Sequence, residues 1–178
     1  MTKKIGVFLS SHAPLPDSYH AAAQHLGEWM GRNKHTLVYG GARKGLMEVL
    51  AQSVKQSGGR VYGVVPQILV ERGLVSDAID VTFHCSDLND RKAILIRESD
   101  VLIALPGGIG TLDELFTILA ANTIGLEHKP VVLYNVDGCW DSLLAMLKDL
   151  EDKGLNYAPT VYRLQVVASE EELEAILT

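Results

Sequence analysis

The chain has 178 residues, 47% of them hydrophobic, and a formal charge of −6, which suits one domain over residues 1 to 178 that buries roughly 70% of the surface its unfolded chain exposes. The acidic balance and the lack of a dense Lys/Arg block argue against nucleic acid as a partner. No apolar run approaches the roughly 20 residues of a bilayer-crossing helix, so the sequence is not that of an integral membrane protein.

In chain order, the N-terminal "MTKKIGVFLSSHAP" sets two lysines before an apolar run, but Ile5 to Leu9 is too short for a secretion signal and suits a first strand, so a cytoplasmic protein is expected. Strand-like runs follow at 35 to 40, 60 to 66, 78 to 85, 101 to 107, 129 to 135 and 163 to 168, making seven with residues 5 to 10. Between them, residues 17 to 32, 44 to 57, 87 to 98, 111 to 124, 139 to 153 and 169 to 177 carry apolar residues at helical spacing. Several of these open on Asp, Ser or Thr, where a cap belongs. The alternation predicts an α/β fold, a Rossmann-like doubly wound parallel sheet of about seven strands with helices on both faces. The least regular stretch, residues 66 to 78, is a candidate lid or connection. Ligands of such folds bind beyond the carboxyl ends of the strands.

Two glycine loops stand at that address. In "LPGGIGTLDELF", residues 105 to 116, a strand hands over to a helix through Gly107, Gly108, Ile109, Gly110 and Thr111. Glycines there let a ligand approach the main chain, and the free N–H groups of the helix start attract an anion; a phosphate is the natural occupant, a plain tight turn the alternative. The spacing is neither that of a P-loop nor Gly-x-Gly-x-x-Gly. The second loop, "YGGARKGLM" (39 to 47), offers Gly40 and Gly41 for close approach and Gly45 for helix packing. Ser10 and Ser11 close the first strand at the same sheet edge as hydrogen-bond donors, without the Gly-x-Ser-x-Gly elbow of a hydrolase nucleophile.

The charges near these loops admit two readings. Thr111 and Glu114 have capping-box spacing, which would return the glutamate to the helix start. Asp113 and Glu114 project about 100° apart and should serve different targets. Arg91 lies along the apolar stripe of Leu88 and Leu95, with Lys92 beside it, and must find either an ion-pair partner or the crevice of the glycine loop. Cys85 and Cys139 form neither a disulfide framework nor a Cys-x-x-Cys pair, and are expected as reduced thiols in or near the core. The six histidines show no metal-ligand spacing, so no metal is expected.

Taken together, "VFLSS", "LVYGGARKGLM", "GGRVYGVVP", "LNDRK", "SDVLIALPGGIGTLDEL" and "HKPVVLYNVDGCWDSLL" resemble, in order and over nearly the whole chain, the LONELY GUY family of cytokinin riboside 5′-monophosphate phosphoribohydrolases, whose signature is PGGxGTxxE. The resemblance implies a homodimer that needs no cofactor and hydrolyses a nucleoside 5′-monophosphate to a free base and ribose 5-phosphate. It implies Arg91 and Glu114 as the catalytic pair, Lys92 beside the substrate, and Gly107 to Thr111 around the phosphate. The chain departs from the family pattern at Leu9, Ala42 and Glu48, where glycine is common, at Gly73, where plant-type members place a substrate-binding glutamate, and at Ala120 and Ala121, where the family carries Thr-Trp. These departures predict that phosphate and ribose handling are kept while the base pocket is altered. The wide apolar surface of the helix over 111 to 124, with Leu112, Leu115, Phe116, Leu119 and Ile124, fits a helix shared between its own sheet and a second subunit, a helix wholly buried within the domain being the alternative.

Overall fold

The computed structural model describes residues 2–178. Seven parallel strands form one sheet in the order β4-β3-β2-β1-β5-β6-β7: β1 Lys4–Phe8, β2 Thr36–Tyr39, β3 Arg60–Pro66, β4 Val81–Cys85, β5 Val101–Ala104, β6 Val131–Tyr134 and β7 Leu164–Val167. The helices are α1 Asp17–Arg32, α2 Gly45–Gln56, α3 Gln67–Glu71, α4 Leu88–Arg97, α5 Ile109–Thr123, α6 Asp141–Asp152 and α7 Glu170–Leu177. No described helix is long and apolar enough to cross a membrane.

The strands read as continuous apolar runs because both sheet faces are covered. Ile5 and Val7, Leu37 and Tyr39, and Val101 and Ile103 point to the side packed by Leu26 and Met30 of α1 and Leu46, Leu50 and Val54 of α2, where Leu173 and Leu177 of α7 join them. Phe8, Val38, Leu102 and Ala104 point the other way, onto Ile94 and Leu95 of α4, Leu115 and Ile118 of α5 and Leu143 of α6. The two cores alternate strictly along each central strand, as a period of two requires.

The strand order reverses between β1 and β5, which pair from Ile5↔Val101 to Phe8↔Ala104. Leu105 then donates its N–H to the Phe8 carbonyl (2.9 Å) and Ser10 to the Pro106 carbonyl (3.1 Å), so the ladder runs on past both strands. These two chain segments open the crevice at the topological switch point, where α/β sheets bind ligands.

The expected elements are found with shifted ends. The strand expected from residue 78 starts at Val81, and the helix expected from residue 111 starts at Ile109 with Gly108 as its N-cap. The connection 66 to 78 contains the short helix α3 and is tied to the second glycine loop. Ala42 bridges Val75, Arg43 donates its N–H to Leu74 and Ser76 donates its own to Gly41, and the Arg43 guanidinium reaches Asp77 and the Gly73 carbonyl, each at 2.9 Å.

Candidate active site

A cleft of about 420 Å³ opens at the switch point, within the range of small-molecule sites. One wall is the start of α5, with Gly108, Ile109, Gly110, Thr111 and Glu114; the facing walls hold Ser10 and Ser11, Ala42 and Met47, Pro66, Ile68 and Leu69, and Leu88 and Arg91. Every segment follows the carboxyl end of a strand.

The glycine loop divides its work. A Cβ at Gly107 would lie 2.0 Å from Thr111 Oγ1, so this glycine exists to let the buried threonine fold back over the turn. Cβ atoms at Gly108 and Gly110 would meet nothing within 4 Å: here the space in front of the backbone is open. No side chain caps α5 and no acid stands in its first turn, so the N–H groups of Ile109, Gly110 and Thr111 are free for an anion, favoured further by the helix dipole. Ser10, 9% exposed, accepts from the His12 N–H at 3.0 Å, which leaves its own hydroxyl proton for the cleft.

Glu114 is not the partner of a capping box. The helix begins two residues before Thr111, which puts Glu114 in its second turn, facing the cleft, 8% exposed. Among the described residues no ion pair or hydrogen bond holds its carboxyl. Burial pushes it up to about 7, with Asp113 adding to the rise and Arg91 and Lys92 opposing it. A half-ionised carboxyl with no protein partner is poised for a ligand.

Arg91 sits one turn into α4. The turn is fixed by Asp87, whose carboxylate accepts from the N–H groups of Asn89 (2.8 Å) and Asp90 (2.9 Å). Arg91 Nη2 donates to the Gly40 carbonyl at 2.9 Å, while its Nε is buried without a partner. A Cβ at Gly40 would stand 2.0 Å from Nη2. Gly40 therefore makes room for the guanidinium, while Gly41, with φ +77°, packs against Val65; both were expected against the ligand, both lie outside the cleft lining, and Ala42 takes their place in the wall. Gly45 packs on the main chain of Ser11 and His12, where its Cβ would come within 2.5 Å.

Lys92, expected beside the substrate, turns away and pairs with Asp113 at 2.8 Å, so the two adjacent acids do serve different targets. Gly73, at the end of α3 with φ +63°, is also outside the cleft lining. Cys85 and Cys139 are free thiols. The residues that sequence reasoning passed over, Met47, Pro66, Ile68, Leu69 and Leu88, are the apolar wall. Their signal was positional: they follow β2, β3 and β4 as the glycine loop follows β5.

Fold and site together define a doubly wound α/β protein whose cleft joins an anion cradle, a buried carboxyl and a guanidinium. The family model described as "Possible lysine decarboxylase" matches residues 47–177. The chain is 39% identical over 166 residues to the cytokinin riboside 5′-monophosphate phosphoribohydrolase LOG7 of Arabidopsis thaliana, covering 93% of this chain and 76% of that one. It is 39% identical, over 93% of itself and 67% of the relative, to the probable phosphoribohydrolase of the same name, LOGL5, of Oryza sativa subsp. japonica. The chain belongs to the LOG family. Among solved structures it resembles the molybdenum cofactor binding protein of Rippkaea orientalis (TM-score 0.73, 26% identity, 100% of this chain and 99% of that one). It also resembles the molybdenum cofactor carrier protein of Chlamydomonas reinhardtii (0.74, 27%, 99% and 96%). The decarboxylase description does not fit the walls: no lysine lines the cleft among the described residues, and pyridoxal chemistry needs one.

Proposed function

We propose that the protein is a phosphoribohydrolase: water cleaves the N-glycosidic bond of a purine nucleoside 5′-monophosphate, AMP or a cytokinin type, giving free base and ribose 5-phosphate. The observation that carries this reading is the unpartnered, buried Glu114 carboxyl in the same cleft as the open glycine cradle. The cradle would take the phosphate, which directs the ribose toward Glu114 and Arg91. As the C1′–N bond breaks, positive charge grows on the ribose ring and negative charge on the departing base. The ionised Glu114 stabilises the first and orients the attacking water; the free Nε–H of Arg91 donates toward the sugar or the base. Leu88, Met47 and the Pro66–Leu69 segment supply the apolar side that a purine needs.

The test is chromatography of free base and ribose 5-phosphate after incubation with AMP and with isopentenyladenosine monophosphate. Release that vanishes in Glu114→Gln while ligand binding persists supports the hydrolase. The resemblance to molybdenum cofactor carriers over the whole chain favours a second reading, a non-catalytic binder of a phosphorylated cofactor. Tight binding of nucleotide without release in the native protein would select it.

We also propose that the chain works as a homodimer. Phe116, Ile124, Leu126, Leu155 and Tyr157 are 38 to 74% exposed on α5 and in the residues that follow α5 and α6, apolar side chains that a second subunit would cover.

A further inference from the structure

The switch point holds a second cavity, of about 340 Å³, on the other side of the glycine loop. Ser10, His12 and Gly108 line both cavities, so the two are lobes of one crevice with those residues as the threshold. The lobes differ in character. The first holds Glu114 and Arg91; the second is lined by Leu15 and Tyr19, Pro106 and Gly107, and Cys139 and Trp140.

We infer that the second lobe is a binding site for a planar ring joined through the phosphate, so that the crevice accepts a dinucleotide, a nucleotide whose 5′-phosphate continues through a second phosphate to another ring. This rests on the placing of the first phosphate at the glycine loop. With the reacting sugar held at Glu114 and Arg91, the sugar and its base occupy the first lobe. From the phosphate a direction lies open across Gly108, where the absent side chain leaves the passage to the second lobe clear. Beyond it lie a phenol and an indole. Trp140 is 5% exposed, and its indole N–H is buried without a hydrogen-bond partner; Tyr19 forms the lobe's other aromatic wall. Among the described residues no carboxylate lines the lobe, so a second phosphate at the threshold meets Ser10 and His12 rather than a like charge. Pyrophosphate-linked ligands lie across the switch point of doubly wound sheets for the same reason: one half of the ligand falls on each side of the glycine turn.

The test is equilibrium binding of AMP, ADP and diadenosine 5′,5′-diphosphate to the full chain by calorimetry, with AMP cleavage assayed in parallel. Diadenosine diphosphate should bind at least about tenfold tighter than AMP, as one added base–aromatic stack provides, while ADP stays within about threefold of AMP because it lacks the second ring. Tyr19→Ala should remove the advantage and leave AMP binding unchanged, and Tyr19→Phe should keep it. Equal or weaker binding of the dinucleotide, with AMP bound and cleaved, overturns the second site and leaves the hydrolase intact. AMP bound but not cleaved, with the dinucleotide advantage present, keeps the site and overturns the hydrolase. Binding of none of the three overturns both.

Discussion

Glu114 sets a conflict between activity and stability. Its folded pKa of about 7 stands above the ordinary 4.5, so the folded protein holds a proton that the unfolded chain has released between those values. Stability is therefore greatest below pH 4.5 as far as this group is concerned, and falls as pH rises toward 7 and beyond. The shift corresponds to a cost on the order of 3 kcal/mol at pH 8. Glu114→Gln, neutral at every pH, should raise the melting temperature by several degrees at pH 8 and change it little near pH 5, as calorimetry would show. In the native protein, kcat/KM for AMP should rise with pH to a plateau, with a midpoint near 7, because the role proposed for Glu114 needs its ionised carboxyl; a midpoint below 5.5 would contradict that assignment. Gly107→Ala should shift the Thr111 hydroxyl, given the 2.0 Å contact its Cβ would make, and raise KM for the nucleotide by about tenfold or more, a steady-state measurement.

At the level of elements, α4 and α5 bring Arg91 and Glu114 to one cleft, and their N-termini are built differently. Asp87 caps α4; Asp87→Ala should cost about 1 kcal/mol in urea unfolding and lower kcat more than it raises KM, because it loosens the turn that carries Arg91. No side chain caps α5, which leaves its donors to the ligand. This contrast explains what the sequence disclosed. The strand–helix alternation and the glycine loop at a strand's carboxyl end were legible because periodicity and backbone requirements are local, whereas Arg91 and Glu114 stood out as a pair only through the family resemblance. The capping-box spacing of Thr111 and Glu114 misled because a cap depends on where the helix starts, and the glycine turn lets α5 start two residues early. Lys92 is placed beside the ligand by the family resemblance and Gly40 by its position in the glycine loop. Their contacts are set by Asp113 and Arg91, 21 and 51 positions away, a separation no local pattern reports.

On the scale of the whole molecule, Phe116 of α5 and Ile124, its C-cap residue, belong to the apolar patch, and the same helix begins at the glycine cradle. Sedimentation should give twice the chain mass, and the paired substitution Phe116→Lys and Ile124→Glu should return it to the monomer. Because α5 runs from the proposed interface to the site, the monomeric variant should also lose turnover.

The β1–β5 ladder that outlasts its strands, through Leu105 to Phe8 and Ser10 to Pro106, gives the crevice a time scale. Loop amides commonly exchange with solvent through local openings that need little free energy, whereas amides of a central ladder wait for global unfolding. The Ser10 N–H belongs to the second kind although it stands at the lip of the cleft. Its deuterium uptake should keep pace with the slowest strand amides without nucleotide and slow in step with them when nucleotide is added, so that the ligand meets a floor already rigid before it arrives.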